Sequence, residues 1–170
     1  QLTALSEAGY RAVAPDLRGY GETDRPDAAE AYTQLHLVGD LVGIVDGLGE
    51  KRAVVIGHAF CASLAWHAAQ MRPDVFTAVA ALSLPWSPRG RIKPTDVFRK
   101  LAAGRFDYML YFQEIGVAEA ELERDVRSTL RRIFCSSSGE APPPTGGERK
   151  SFLDGMIVPV QLPSWLTDLD

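Results

Sequence analysis

The residues best placed to do chemistry lie within 54–66, VVIGHAFCASLAW. An apolar run ends in Gly57-His58-Ala59-Phe60-Cys61, and a helix-like stretch follows. That pattern is a nucleophile elbow, a sharp strand-to-helix turn whose central side chain projects above the carboxyl ends of the strands. The residues two before and two after the centre must be small, because strand and helix backbones nearly touch there. Gly57 suits this and Cys61 is small enough. The amides that open the following helix sit where the helix dipole favours a developing anion. The central position is Ala59, which offers no nucleophile, acid or base.

The other candidates carry plainer readings. Cys61 lies at a helix N-terminus, where thiol pKa values fall. Its place two beyond the turn's centre should aim its side chain into the helix–strand contact, so an inert structural thiol is expected. Ser63 is likewise on the helix. His36 and His67 fall on helical stretches and read as packing or surface residues. Asp16 and Asp24 flank a Gly-rich loop and read as turn formers. No His/Cys/Asp/Glu group has metal-ligand spacing, and no cofactor is expected.

The elements that must position these residues follow from periodicity. Residues 1–8 read as the tail of a helix stopped by Gly9. Residues 10–14 (YRAVA) form a short apolar run ahead of Pro15-Asp16, which reads as a strand. Residues 17–26 form a loop punctuated by Gly19, Gly21 and Pro26. Leu35, Val38, Leu41, Val42, Val45 and Leu48 recur at helical spacing up to Gly49. Residues 53–56 (AVVI) and 76–84 (FTAVAALSL) read as strands buried on both faces, with a helix over 60–71 between them. Strands alternating with helices predict a parallel α/β sheet. After Pro85 the pattern turns helical, over 97–101, 108–113 and 118–134. In the last, Glu119, Glu121 and Glu123 precede Arg127, Arg131 and Arg132, an order that suits a helix dipole. Residues 136–149 hold Pro142-Pro143-Pro144 and Gly146-Gly147 and read as a mobile loop. The division expected is residues 1–85 as an α/β part and 86–170 as a helical part.

Composition narrows the function classes. The chain has 170 residues, a net charge of −4, 46% hydrophobic and 24% charged residues, an ordinary globular balance. No apolar run approaches the roughly 20 residues of a membrane span. No long Lys/Arg cluster marks a nucleic-acid footprint. Two cysteines, Cys61 and Cys135, do not make a disulfide framework, and a cytoplasmic location is expected.

The elbow, together with three further stretches, resembles the soluble epoxide hydrolases of the α/β-hydrolase superfamily. Residues 15–26 (PDLRGYGETDRP) are similar to that family's loop after its fourth strand, and residues 35–49 to the helix after it. Residues 106–126 (FDYMLYFQEIGVAEAELERDV) are similar to its cap segment, and residues 162–166 (LPSWL) to a later one. The fold implied is an α/β-hydrolase core fragment, parallel strands with flanking helices, followed by a mostly helical cap (lid) domain. The reaction implied has two steps. An elbow Asp opens an epoxide to an alkyl-enzyme ester while two cap tyrosines hold the oxygen. A His, oriented by an acid, then activates water to release a vicinal diol.

Matched residue by residue, the family's G-H-D-W-G reads here Gly57-His58-Ala59-Phe60-Cys61. Ala59 stands at the nucleophile position. The Phe60 amide matches one oxyanion donor, and its ring replaces the usual Trp as a pocket wall. His58 is structural in this pattern. Tyr108 matches the first cap tyrosine, and Ile115 stands where the family usually has Pro. The H-G-x-P segment, the second tyrosine, the acid and the base have no match within the chain.

The expectation is therefore a fragment of an epoxide-hydrolase-like protein, inactive as it stands and unstable or molten alone. The alternatives are a non-catalytic pocket for a small apolar ligand, a haloalkane dehalogenase-like hydrolase, or a decayed product with no selected function. The partner expected is a small apolar epoxide-like molecule, with a homodimer in the full-length form.

Overall fold

A computed structural model describes residues 1–142 and 148–166 of the chain. It divides into two compact units, Gln1–Pro88 and Arg89–Asp170.

The first unit contains α1 (Leu2–Glu7), a 3-10 turn (Ala29–Tyr32), α2 (Gln34–Gly47), β1 (Ala53–His58), α3 (Phe60–Met71) and β2 (Phe76–Leu82). β1 and β2 pair in parallel, from Ala53 opposite Phe76 to His58 opposite Leu82. The helix between them makes this a βαβ crossover, the connection that parallel neighbours require. α3 packs on both strands and α2 packs on α3. The core is Leu37, Val38 and Val45 of α2, Leu64 and Ala68 of α3, and Val75-Phe76. Thr33 caps α2, and Gly49 ends it in a left-handed conformation.

Two expectations are corrected here. Residues 10–14 are not a strand. A strand exists through its ladder, and among the described residues β1 and β2 are the two members of the sheet. Nor are β1 and β2 buried on both faces. Val54 (58% exposed), Ile56 (52%) and Leu82 (50%) line an open face, while Ala53 and Val55 pack towards the helices. The apolar run marks residues able to be covered on both sides, and in this unit helices cover one.

The second unit contains α4 (Pro94–Ala102), α5 (Tyr108–Tyr111), α6 (Val117–Leu122) and α7 (Val126–Ser137). Pro94 opens α4 at its first turn, where no amide is needed. The single helix expected over 118–134 is two. Asp125 accepts from the Ser128 amide at 2.9 Å and so starts a new helix. The Thr129 hydroxyl donates to the Leu122 carbonyl at 2.9 Å and satisfies the end of the old one. Glu119 and Glu121 therefore lie on α6, with Glu123 at its end, and Arg127, Arg131 and Arg132 on α7. α7 runs to Ser137, so the first residues of the expected loop are helical. Residues 143–147 of that loop, and 167–170, lie outside the described residues. No helix among the described residues is long and apolar enough to cross a membrane.

Candidate active site

Within the first unit the chain leaves β1 at His58 and enters α3 at Phe60, so Ala59 alone makes the turn. It does so at φ 52°, ψ −119°, a conformation that L residues rarely hold. Its amide donates to the Leu82 carbonyl at 3.1 Å, which fixes the turn to the carboxyl end of β2. Its methyl group is exposed. Gly57 makes the close approach possible. A Cβ there would collide with the Cys61 carbonyl group and lie 2.7 Å from the Ala62 nitrogen. Phe60 and Cys61 are the first residues of α3, so their amides have no intrahelical acceptor. The Phe60 amide is the one expected as an oxyanion donor.

His58 is exposed at the end of β1 and Phe60 is 54% exposed. Cys61 departs from expectation. The tight contact with Gly57 is made by its backbone, and its side chain is exposed. The helix turns the Cys61 Cβ away from the strand while its carbonyl faces it. Trp66 ties α3 to the chain beyond β2 through an indole N–H donated to the Leu84 carbonyl at 3.2 Å.

The loop over 17–26 is held by Arg18. Its guanidinium grips Asp40 of α2 at 2.6 and 2.5 Å and donates to the Ala31 carbonyl at 2.6 Å. The hydrogen bonds to Asp40, together with its charge, hold the guanidinium further above its usual range despite some desolvation. Asp16 and Asp24 serve the turns. The Asp24 carbonyl accepts from the Gly19 amide at 2.9 Å, and the Asp16 carboxylate fills the space a Cβ would need at Gly21 (φ +54°).

In the second unit Tyr108 begins α5, capped by Asp107, which accepts from the Met109 and Leu110 amides at 2.9 and 3.1 Å. Its ring packs edge-on against Phe112 (6.1 Å between centroids) and Phe152 (6.3 Å), and the side chain is 49% exposed. Its hydroxyl has no hydrogen-bond partner among the described residues. Tyr111, one turn later, is committed elsewhere. Its hydroxyl donates to Glu121 at 2.7 Å, and this bond, with burial and the carboxylate's charge, pushes its pKa up to about 12.

Glu121 is the residue that sequence reasoning passed over. Besides Tyr111 it accepts from the Phe152 and Leu153 amides, both at 3.1 Å. Burial pushes its carboxyl upward. Hydrogen bonds from Ser151, Tyr111 and the two amides outweigh that and hold it below the usual carboxylate range. No spacing rule links residues 31 apart, so periodicity carries no signal for this contact.

Among the described residues His36 pairs with the Thr33 hydroxyl (2.8 Å), His67 with the Ser63 carbonyl (2.7 Å), and none with a carboxylate. No metal-binding cluster occurs among the described residues. A groove of about 440 Å³ in the second unit is lined by Cys135, Ser138, Ile157 and Val160, and Tyr108 is not part of it.

Residues 1–136 match the family model described as the alpha/beta hydrolase fold. Over 98% of its length the chain is 42% identical to Epoxide hydrolase A of Mycobacterium tuberculosis (strain ATCC 25618 / H37Rv), of which it covers 53%. Over its full length it is 41% identical to Epoxide hydrolase 1 of Siraitia grosvenorii, again covering 53%. Among solved structures, an epoxide hydrolase from an endophytic Streptomyces superposes on the whole chain with a TM-score of 0.89 at 42% identity, and the chain covers 53% of it. The chain thus spans about half the length of the relatives it matches.

Proposed function

The chain belongs to the α/β-hydrolase fold family, and from that premise we propose an epoxide-hydrolase-type site whose nucleophile position is filled by Ala59. Tyr108 is the donor to the epoxide oxygen in this reading, and the Phe60 amide is an oxyanion donor. The single observation that carries it is the turn itself. Ala59 holds φ 52°, ψ −119° between β1 and α3, with Gly57 beneath and an exposed side chain above. Strain at a non-glycine residue costs on the order of 1–3 kcal/mol, and it recurs where geometry serves a site.

Epoxide opening at this position requires a carboxylate oxygen to attack carbon as the C–O bond breaks and the ring oxygen takes a proton from a donor. A methyl group supplies no electron pair, so the chain as it stands binds without turnover. A serine-type acyl transfer fails for the same reason. Tyr108 supports the donor role because its phenol is uncommitted and half exposed, whereas the Tyr111 proton is held by Glu121. This also favours the epoxide reading over a dehalogenase-like one, since a phenol at that place suits a developing alkoxide. The ligand class is a small apolar epoxide. Residues 1–85 form the core part in this proposal and 86–170 the cap.

The test is intact-mass spectrometry after exposure to styrene oxide. The wild-type chain is expected to show no adduct at residue 59. Ala59→Asp, in a protein extended to the length of the relatives, is expected to gain one epoxide mass on that residue. In the present chain Ala59→Asp should give no diol, because no His–carboxylate pair occurs among the described residues to hydrolyse the ester. A folded, extended Ala59→Asp protein with no adduct at residue 59 refutes the elbow assignment.

A further inference from the structure

We infer that Glu121 is a positioning residue for the Tyr108 phenol, acting through the ring of Phe152. The inference rests on the proposed role of Tyr108 and adds to it the device that holds the donor in place. Glu121 does not touch Tyr108. Its carboxylate gathers donors from two distant stretches, the Tyr111 hydroxyl on α5 and the Phe152 and Leu153 amides beside the Ser151 side chain. One oxygen takes Tyr111 and Phe152, and the other takes Leu153. The same turn is held by its carbonyls, with Arg149 donating to Phe152 at 2.7 Å and Arg132 to Leu153 at 2.8 Å. The backbone of Phe152 therefore has donor and acceptor both engaged.

The ring carried by that backbone is one wall of Tyr108. Phe152 meets Tyr108 at 6.3 Å and 68°, and Phe112 at 5.1 Å and 42°. Phe112 is the other wall, at 6.1 Å and 74° from Tyr108. Phe112 in turn contacts Tyr111, at 5.9 Å, whose hydroxyl is on Glu121. Both walls trace back to one carboxylate, by two routes. With its ring walled on two sides, a half-exposed tyrosine keeps one direction for its O–H. With the walls free it would share several rotamers, and the entropy of choosing one would fall on ligand binding.

The experiment labels the full chain with 3-fluorotyrosine and follows the Tyr108 ¹⁹F resonance, assigned by its loss in Tyr108→Phe, during titration with styrene oxide. Wild type is expected to show a Tyr108 line displaced from the unfolded position and moving with styrene oxide. Glu121→Gln is expected to move that line towards the unfolded position and to weaken the styrene oxide response at least tenfold, with far-UV circular dichroism unchanged. Phe152→Leu keeps the backbone bonds and removes the ring. It is expected to release Tyr108 as Glu121→Gln does, while Tyr111, read by ultraviolet absorbance in unlabelled protein, still ionises at about 12.

An unchanged Tyr108 line in Phe152→Leu overturns the inference, whether or not Glu121→Gln folds. A folded Glu121→Gln with an unchanged line overturns it as well. A Tyr108 line that follows both variants but ignores styrene oxide in wild type leaves the mechanical link standing and refutes the oxygen-donor role instead.

Discussion

The turn at Ala59 makes a prediction whose sign runs against ordinary residue preference. By preference alone, Gly57→Ala should stabilise by about 0.4–1 kcal/mol through the unfolded chain, and Ala59→Gly should destabilise by about 0.5–1 kcal/mol. The structure reverses both. A Cβ at position 57 meets rigid backbone, the Cys61 carbonyl group and the Ala62 nitrogen at 2.7 Å, not the tip of a side chain that could swing away. Overpacking of that kind costs about 1–3 kcal/mol, and this contact belongs at the upper end. Net of the unfolded-state gain, Gly57→Ala should destabilise by about 2 kcal/mol. At position 59, removing the methyl group relieves about 1–3 kcal/mol of strain. After the glycine entropy cost, Ala59→Gly should stabilise by about 1 kcal/mol.

With a urea slope of about 2 kcal/mol per M, the midpoints should move down by about 1 M and up by about 0.5 M. Tryptophan fluorescence is the readout, since Trp66 bridges α3 to Leu84 beside the affected contact. Because one sheet face is open, baseline stability is expected to be low. The series is therefore run in a protecting osmolyte, which strengthens apolar burial equally in all variants. Shifts of the opposite sign at both positions, up for Gly57→Ala and down for Ala59→Gly, would refute the elbow geometry.

Other predictions concern charge and exposure. Tyr111 should titrate at about 12, and ultraviolet difference absorbance should lose that step in Tyr111→Phe. Its folded pKa is raised, so the stability it contributes is complete below about pH 10 and fades as pH rises through about 12. Glu121 has the opposite sign. Its folded pKa is depressed, so its contribution is present above the usual glutamate range and is lost as pH falls through the folded value. Acid titration followed by circular dichroism should therefore be flatter in Glu121→Gln. The open face at Val54, Ile56 and Leu82 should make the chain bind an apolar dye strongly. A folded chain that binds no dye would contradict this.

Short-range rules carried much of the structure. α3 runs over Phe60–Met71 as its periodicity predicts, and the crossover between β1 and β2 follows from apolar runs flanking it. The sharp turn between β1 and α3 was legible because its demands are local: a small residue at 57, a helix start after 59, a strand before. The helix start at Tyr108 rests on the Asp107 cap, likewise a local device. Rules of that range reach about one helical turn, and within that range the sequence by itself determined the outcome.

What lay beyond it was decided by packing. An apolar strand does not state how many of its faces will be covered, and β1 is covered on one. A cysteine two beyond the turn's centre does not show which of its atoms meets the strand, and the helix start placed the Cys61 carbonyl there. The break between α6 and α7 depended on whether Asp125 would cap a new helix, a contest settled with help from Thr129. Glu121 gained its role only when the turn at 152–153 closed on it. One of two glutamates on α6 becomes a hub through groups about 30 residues away, and only the tertiary structure brings those donors to it.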